Sequence, residues 1–270
     1  MRAPGPPLTV PLHSRLADWI VERARTPGFV VGLSGAQGSG KSTLADGLAG
    51  ELAAQGLSVA VLSLDDVYRT RAERAALAAA VHPLLQTRGP PGTHDVELAE
   101  RLLDALARAG PVTMPRFDKA RDDRAPPEAW DRVEGPADVI LFEGWCLGVP
   151  PQAEGAVANP VNALERERDP DGRWRRWVNA QLSKRYARLW ERLDALVVLQ
   201  APSFDVVLGW RLQAERALRA RTGLGMSDDE VAAFVAHYER LTRWALETLP
   251  ARADVLIELA PDRRPRWVRP

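Results

Sequence analysis

The chain has 270 residues, 46% of them hydrophobic, and its 36 acidic residues balance 36 basic ones. This length can bury a full core, as one large domain or one domain with a lid. The neutral charge balance argues against a nucleic-acid or anionic-membrane partner, and a single cysteine excludes a disulfide framework and a cysteine-based zinc site. No apolar run approaches the length of a membrane span, so we expect a soluble cytoplasmic protein.

The first predicted elements are a proline-rich lead-in and a helix that Ser14 can cap, which together occupy residues 1–27. The stretch from Gly28 to Thr43 then reads GFVVGLSGAQGSGKST, with an apolar run that predicts a buried strand. Its end fits the phosphate-binding pattern G-x-x-x-x-G-K-[ST], and apolar residues at helical spacing follow it. Because strand, loop and helix occur in the order that the motif requires, we predict a polyphosphate site rather than a chance match. The predicted nucleotide-binding residues are Gly35, Ala36, Gln37, Gly38, Ser39, Gly40, Lys41, Ser42 and Thr43.

Lysine is rare in this chain, which has only Lys41, Lys119 and Lys184 among its 36 basic residues. In the phosphate loop a slim ammonium can follow the β- and γ-phosphates as a point charge, whereas a planar guanidinium would collide with the loop. The hydroxyl of the next residue, Ser42, is in the position that binds magnesium in such loops. The loop therefore predicts a magnesium-dependent nucleotide site.

Two later apolar runs end in acidic residues. The run 59–64 is followed by Asp65 and Asp66, and the run 139–142 is followed by Glu143. Ligands bind at the carboxyl ends of strands in open α/β sheets, so the aspartate pair is well placed to act on a substrate or its metal. A solvated loop or a helix cap is the alternative for that pair. Glu143 has the position of a magnesium-holding carboxylate.

Between these strands the chain predicts a helix over 71–81, a loop rich in glycine and proline, and a helix that Thr93 or Asp95 can cap. His94 and Asp95 are possible substrate contacts, and Asp95 is equally suited to be the cap. A dense charged cluster then occupies residues 116–124 and contains Lys119. Such a cluster is either a solvated face or a set of donors for a small anionic substrate.

The remaining third of the chain predicts two more buried strands, at 196–199 and 253–259. Arginine and tryptophan crowd residues 166–192, for which a helix packed on the sheet explains the pattern better than nucleic-acid binding. Ser203 can cap a helix that carries Arg211 and Arg219, and Ser227 begins one long amphipathic helix that reaches residue 249. Residues 203–228 are a candidate lid. Five strands separated by helices predict a parallel sheet covered on both faces.

Several stretches, in this order, resemble the D-glycerate 3-kinase family, plant-type kinases related to uridine kinase, phosphoribulokinase and pantothenate kinase. They are GAQGSGKST, SLDDVYRT, RGPPGTHD, PRFDKARDDR, LFEGWCLG, WRLQAER, and GMSDDEV followed by YERLT. The resemblance covers roughly residues 28–260 and is weaker over 148–172. It implies a P-loop NTPase α/β fold with a helical lid over residues 28–260, and a tail over 261–270.

The resemblance also implies an activity: transfer of the γ-phosphate of ATP, with Mg²⁺, to the 3-hydroxyl of D-glycerate, which gives 3-phosphoglycerate. Asp65 would take the proton of that hydroxyl, Glu143 would be the metal-associated acid, and Asp118 with Arg124 resemble a substrate-binding D-x-x-x-x-x-R spacing. The predicted catalytic residues are Asp65, Lys41, Arg211 and Arg219; the predicted acceptor-binding residues are Asp66, Tyr68, His94, Asp118, Lys119 and Arg124; the predicted metal-binding residues are Ser42 and Glu143.

Three other functions stay open. One is a kinase of the same architecture that acts on another small alcohol, such as a nucleoside or pantothenate. The second is a GTPase switch, although the sequence has no N-K-x-D base-recognition stretch and no D-x-x-G directly at the end of the third strand. The third is a non-catalytic ATP-binding regulatory protein, for which Lys41, Ser42, Asp65 and Glu143 would not all be needed.

Overall fold

The computed structural model describes residues 12–223 and 225–269. The strands are β1 (Phe29–Gly35), β2 (Val59–Ser63), β3 (Gly110–Met114), β4 (Phe117–Asp118), β5 (Asp123–Arg124), β6 (Asp131–Gly135), β7 (Val139–Gly144), β8 (Ala195–Gln200), β9 (Val255–Leu259) and β10 (Pro265–Arg269). The helices are α1 (Leu12–Val21), α2 (Lys41–Ala54), α3 (Arg71–Ala80), α4 (Val96–Leu106), α5 (Glu154–Ala158), α6 (Ala163–Arg168), α7 (Arg173–Gln181), α8 (Ala187–Trp190), α9 (Phe204–Thr222), α10 (Asp228–Ala236) and α11 (Glu239–Arg252). A π-helical turn, Leu182–Tyr186, joins α7 to α8.

The central sheet has six strands in the order β10, β9, β8, β1, β7, β2. The last five of these run parallel to one another and are the five strands that the apolar runs predicted. They could be recognised because strands enclosed on both faces are almost continuously apolar, as in β7, where every residue is buried. The α/β fold of a P-loop protein is thereby confirmed.

The sixth strand, β10, pairs antiparallel with β9 and lies at the edge of the sheet. It is formed by residues 265–269, which the sequence analysis placed in a tail, so the sheet has one strand more than predicted. An edge strand needs only one apolar face, and here that face is supplied by Trp267, with Arg15 of α1 stacked 4.4 Å from its ring centroid. Two small hairpins, β3 with β6 and β4 with β5, stand apart from the sheet.

Helices cover both faces of the sheet. Buried residues of α1, α2 and α9 form one core with the strands, for example Leu16, Leu48 and Trp210. The other core is built from α4, α7, α11 and the π-helical turn, for example Leu102, Val178 and Tyr186. The phosphate loop, between β1 and α2, therefore lies at the carboxyl edge of a sheet held rigidly from both sides. Among the residues described, no helix is both long enough and apolar enough to cross a membrane.

Two helix predictions are wrong in detail. Helix α1 begins at Leu12, so Ser14 lies inside it instead of capping it. The long helix predicted from Ser227 is two helices, because α10 ends at Ala236 and α11 begins at Glu239. At the break the Tyr238 hydroxyl donates to the carbonyl of Arg88 at 3.0 Å, so a long-range contact fixes the place where the helix changes direction.

Candidate active site

The phosphate loop has an open anion site at the start of α2. Gly38 and Gly40 adopt left-handed backbone angles, with φ of 76° and 86°. No side chain caps the helix, so the first amide groups of α2 are left for a ligand. A Cβ at position 38 would lie 2.9 Å from Cβ of Trp210, which shows that α9 packs directly against the loop. The predicted nucleotide residues, 35–43, therefore form one continuous cradle.

Glu143 is the acidic centre beneath that cradle. Its Oε1 accepts hydrogen bonds from Ser42 Oγ at 3.1 Å and Ser63 Oγ at 2.7 Å, and Lys41 Nζ lies 3.8 Å from its Oε2. Glu143 is only 5% exposed, and within the described chain Oε2 has no hydrogen-bond partner. A buried carboxylate oxygen without a hydrogen bond, next to a serine hydroxyl, fits a magnesium ion, which takes few protein oxygens and completes its shell with phosphate and water.

Asp65, which follows β2, is held between two donors. Its Oδ1 accepts from the Tyr68 hydroxyl at 3.0 Å, and its Oδ2 accepts from Lys119 Nζ at 2.7 Å. Burial alone would raise the pKa of this carboxyl, but the charges of Lys119 and Lys41 outweigh burial and lower it to about 2. Asp65 is therefore ionised at neutral pH. In this structure Lys119 covers the oxygen that an acceptor hydroxyl would approach.

The two other predicted aspartates support the segment that carries Lys119. We call residues 116–124, which contain β4 and β5, the substrate hairpin, because the sequence analysis predicted substrate contacts at Asp118, Lys119 and Arg124. Asp66 fastens it to the loop after β2, accepting from Arg116 Nη1 at 2.6 Å and from the Phe117 amide at 3.0 Å. Asp118 accepts from the amides of residues 120 and 121, which shapes the tip of the hairpin. Both carboxylates are thus engaged by the protein itself.

His94 is fully buried and lies beside the acceptor side of the site. Its ring stacks on Tyr68 with centroids 4.5 Å apart, and its Nδ1 is 2.6 Å from the Tyr186 hydroxyl. Burial lowers the pKa of His94 to about 3, helped by the charge of Arg69 and opposed by that of Asp65. His94 is therefore neutral near pH 7, so as the predicted substrate contact it would act through hydrogen bonding or packing and not through charge.

Arg124 and Asp95 join the substrate hairpin to the neighbouring loop. Arg124 Nη2 donates to the carbonyl of Tyr68 at 2.9 Å and lies 3.7 Å from Asp95 Oδ2. Asp95 caps α4, as one of its two predicted roles required, since its Oδ1 accepts from the Leu98 amide at 3.0 Å. The guanidinium of Arg124 is thus oriented toward protein groups.

The two lid arginines differ in position. Arg211 adjoins the phosphate loop, since its backbone nitrogen is 3.8 Å from the position of a Cβ on Gly38, and its side chain pairs with Glu215 at 2.7 Å. Arg219 lies two helical turns further on and pairs with Asp228 at 2.8 Å. The backbone of Arg211 therefore adjoins the phosphate loop, whereas Arg219 links α9 to the first residue of α10.

The sequence analysis missed three residues that adjoin these groups. Arg263, in the turn between β9 and β10, donates from Nε to the Gly38 carbonyl at 2.8 Å and so supports the phosphate loop. Tyr238 and Arg88 contact each other on the acceptor side. The last two fall within YERLT and RGPPGTHD, so the family stretches contained them, but no local pattern marked either as part of the site.

Fold and site together define a P-loop phosphotransferase, with a phosphate cradle, an acidic centre and an ionised aspartate at adjacent strand ends. Comparison with known proteins agrees. The model of the methylmalonyl-CoA mutase-associated GTPase MeaB matches residues 10–71, which span the phosphate loop and β2 but no later element of the sheet.

Relatives that match over most of the chain are kinases. An uncharacterised kinase of Schizosaccharomyces pombe, mug58, is 39% identical over 219 residues, which is 78% of each chain. The chloroplastic D-glycerate 3-kinase of Arabidopsis thaliana is 36% identical over 235 residues, covering 83% of this chain and 49% of the plant protein. A solved D-glycerate 3-kinase from Cryptococcus neoformans superimposes with a TM-score of 0.75 at 25% identity, over 96% of this chain and 100% of that one. The chain belongs to the family of P-loop kinases that includes mug58, and D-glycerate 3-kinases are among its relatives.

Proposed function

We propose that the protein transfers the γ-phosphate of ATP to the 3-hydroxyl of D-glycerate and releases ADP and 3-phosphoglycerate. The observation that carries this proposal is the position of Asp65. It is an ionised carboxylate near the phosphate loop, and it accepts a hydrogen bond from the Lys119 ammonium. The chain that carries it is 36% identical to a plant D-glycerate 3-kinase. A small anionic acceptor matches both the carboxylate that must receive a hydroxyl proton and the cations gathered around it.

The nucleotide end of the reaction uses the cradle. The amides of residues 35–43 and the Lys41 ammonium hold the β- and γ-phosphates, and Arg211, whose backbone adjoins the loop, neutralises charge that develops on the transferring group. Arg211 must exchange its pairing with Glu215 for one with phosphate. Magnesium held through Ser42 and Glu143 supplies further neutralisation of phosphate charge when it is bound.

The acceptor end uses Asp65. The acceptor 3-hydroxyl donates its hydrogen bond to Asp65 and attacks the γ-phosphorus in line, and the proton passes to the carboxylate as the bond to ADP breaks. A carboxyl whose pKa is near 2 is a weak base. A weak base suffices here, because the hydroxyl proton becomes strongly acidic as the bond to phosphorus forms, so Asp65 accepts it late in the step.

The test is a coupled ADP-release assay with magnesium-ATP and a panel of acceptors: D-glycerate, L-glycerate, uridine, pantothenate and ribulose 5-phosphate. Phosphorus NMR of the product identifies the hydroxyl that is phosphorylated. Turnover of D-glycerate to 3-phosphoglycerate supports the proposal and its regiochemistry together. Activity on another alcohol alone would leave the kinase class standing and reject the substrate. Bound ATP with no turnover on any acceptor would favour a regulatory role.

A further inference from the structure

Arg88 presents a fixed guanidinium to the acceptor side of the site. Its Cζ lies 5.6 Å from the ring centroid of Phe117, on the substrate hairpin, and 5.6 Å from that of Phe234, on α10. Nη1 donates to Asp122, while Nε and Nη2 make no hydrogen bond within residues 12–223 and 225–269. The side chain keeps 18% exposure. A guanidinium held against two rings with one edge free is charged, oriented and able to bind a planar anion in two places.

Asp122, the carboxylate that pairs with Arg88, is also held by a second arginine. Asp122, at the tip of the substrate hairpin, also accepts from Arg74 Nη2 at 2.5 Å. Arg74 is fully buried and donates to the carbonyls of Asp122 and Arg69 as well, at 2.8 and 2.7 Å. Since two guanidinium groups share one carboxylate, Asp122 fixes the position of Arg88 without cancelling the charge of both arginines.

Arg88 is linked to the proposed base through two packed aromatic side chains. Phe117, which contacts Arg88, packs edge-on against Tyr68 with centroids 5.1 Å apart, and the Tyr68 hydroxyl bonds Asp65 at 3.0 Å. On the other side, the Arg88 carbonyl accepts from Tyr238. Burial and the charge of Asp65 raise the pKa of both tyrosine hydroxyls, and the charge of Arg88 opposes that rise. The charges of Arg88 and Asp65 therefore both act on each of these two hydroxyl groups.

The other cations of this region are engaged. Lys119 is on Asp65, and Arg116 bonds Asp66 and Asp131. Arg124 bonds the Tyr68 carbonyl through Nη2, and its Nε, which has no hydrogen-bond partner among the described residues, is buried within the protein. His94 is neutral. We propose that the free edge of Arg88 binds the carboxylate of the acceptor, so that Arg88 selects hydroxy acids over neutral alcohols. This inference rests on the proposed function, because it names the group that recognises the acid end of the same substrate.

The test compares acceptors with and without the charge. D-glycerate and D-glyceramide differ only in that a neutral amide replaces the carboxylate. Steady-state kinetics are measured for the wild type, Arg88→Met, Arg88→Lys and, as a control, Arg108→Met, which removes an exposed arginine between α4 and β3. Arg88→Met should lower kcat/KM for D-glycerate by roughly 100- to 1,000-fold, mainly through KM, and change the value for glyceramide less than about threefold.

Arg88→Lys should be intermediate, because an ammonium keeps the charge and loses the planar fork. The KM for ATP and the melting temperature of each variant show whether the nucleotide site and the fold survive. A D-glycerate kcat/KM in Arg88→Met equal to that of Arg108→Met would overturn the inference. An equal loss on both acceptors would also overturn it, because that result means a structural role. A wild type that phosphorylates no carboxylate-bearing acceptor would reject the proposed function itself, before any variant is made, and the inference with it.

Discussion

Acidification should unfold this protein partly through His94. The ring has a pKa of about 3 in the folded chain against 6.5 when exposed. Between these values the unfolded state binds a proton that the folded state excludes, so stability is full above about pH 6.5 and falls as the pH is lowered. For one such group the loss between about pH 7.5 and about pH 5 is about 2 kcal/mol, from RT times the logarithm of the ratio of the two binding polynomials.

Chemical denaturation at these two pH values measures the effect. In His94→Gln the side chain cannot titrate, so its free energy of unfolding should change by about 2 kcal/mol less than that of the wild type over the same interval. The comparison uses the pH-dependent difference, so a general loss of stability in the variant does not disturb it. Equal pH dependence in the two proteins would refute the argument, as would histidine ¹⁵N shifts that show His94 protonated above about pH 5.

Three further variants test other parts of the site and core. Lys41→Ala should reduce kcat by several orders of magnitude with an unchanged melting temperature, and near-normal turnover in the coupled assay would remove Lys41 from the mechanism. Asp65→Asn should reduce kcat far more than ATP affinity measured by calorimetry; loss of ATP binding would instead make Asp65 a nucleotide or metal residue. Glu165→Gln leaves the buried Arg240 without its carboxylate, which it contacts at 2.8 and 2.6 Å. It should cost about 3–5 kcal/mol of unfolding free energy, and a cost near zero by urea titration would show that water reaches the pair.

The parallel strands and the phosphate loop could be predicted because each is encoded locally. Buried parallel strands are continuous apolar runs, and the loop is a pattern of eight residues with fixed spacing. Strand β10 could not be found in this way, because arginine and proline surround its single inward tryptophan, Trp267. The break between α10 and α11 could not be predicted either, because it depends on a hydrogen bond from Tyr238 to a carbonyl 150 residues away in sequence.

The candidate site shows the same division. Glu143 and Asp65 could be placed because strand ends meet at one edge of a parallel sheet. Whether a charged residue faces a ligand or the protein depends on contacts that no local pattern encodes. Asp66 and Asp118 bond backbone amides, and His94 loses its charge by burial. Arg88 could not be identified from the sequence, because its position depends on contacts with Phe117 and Phe234, which lie on separate elements.

The turn after β9 brings a residue from near the end of the described chain into contact with the phosphate loop. Arg263 joins the Gly38 carbonyl to Gln213 of α9, at 2.8 and 3.1 Å, and lies over the ring of Trp210. One side chain therefore connects the phosphate loop, α9 and the turn that leads to the edge strand of the sheet. A shortened protein that stops after β9 would keep every sequence motif of the kinase and lose this brace, so expression of such a fragment would give misleadingly weak ATP affinity.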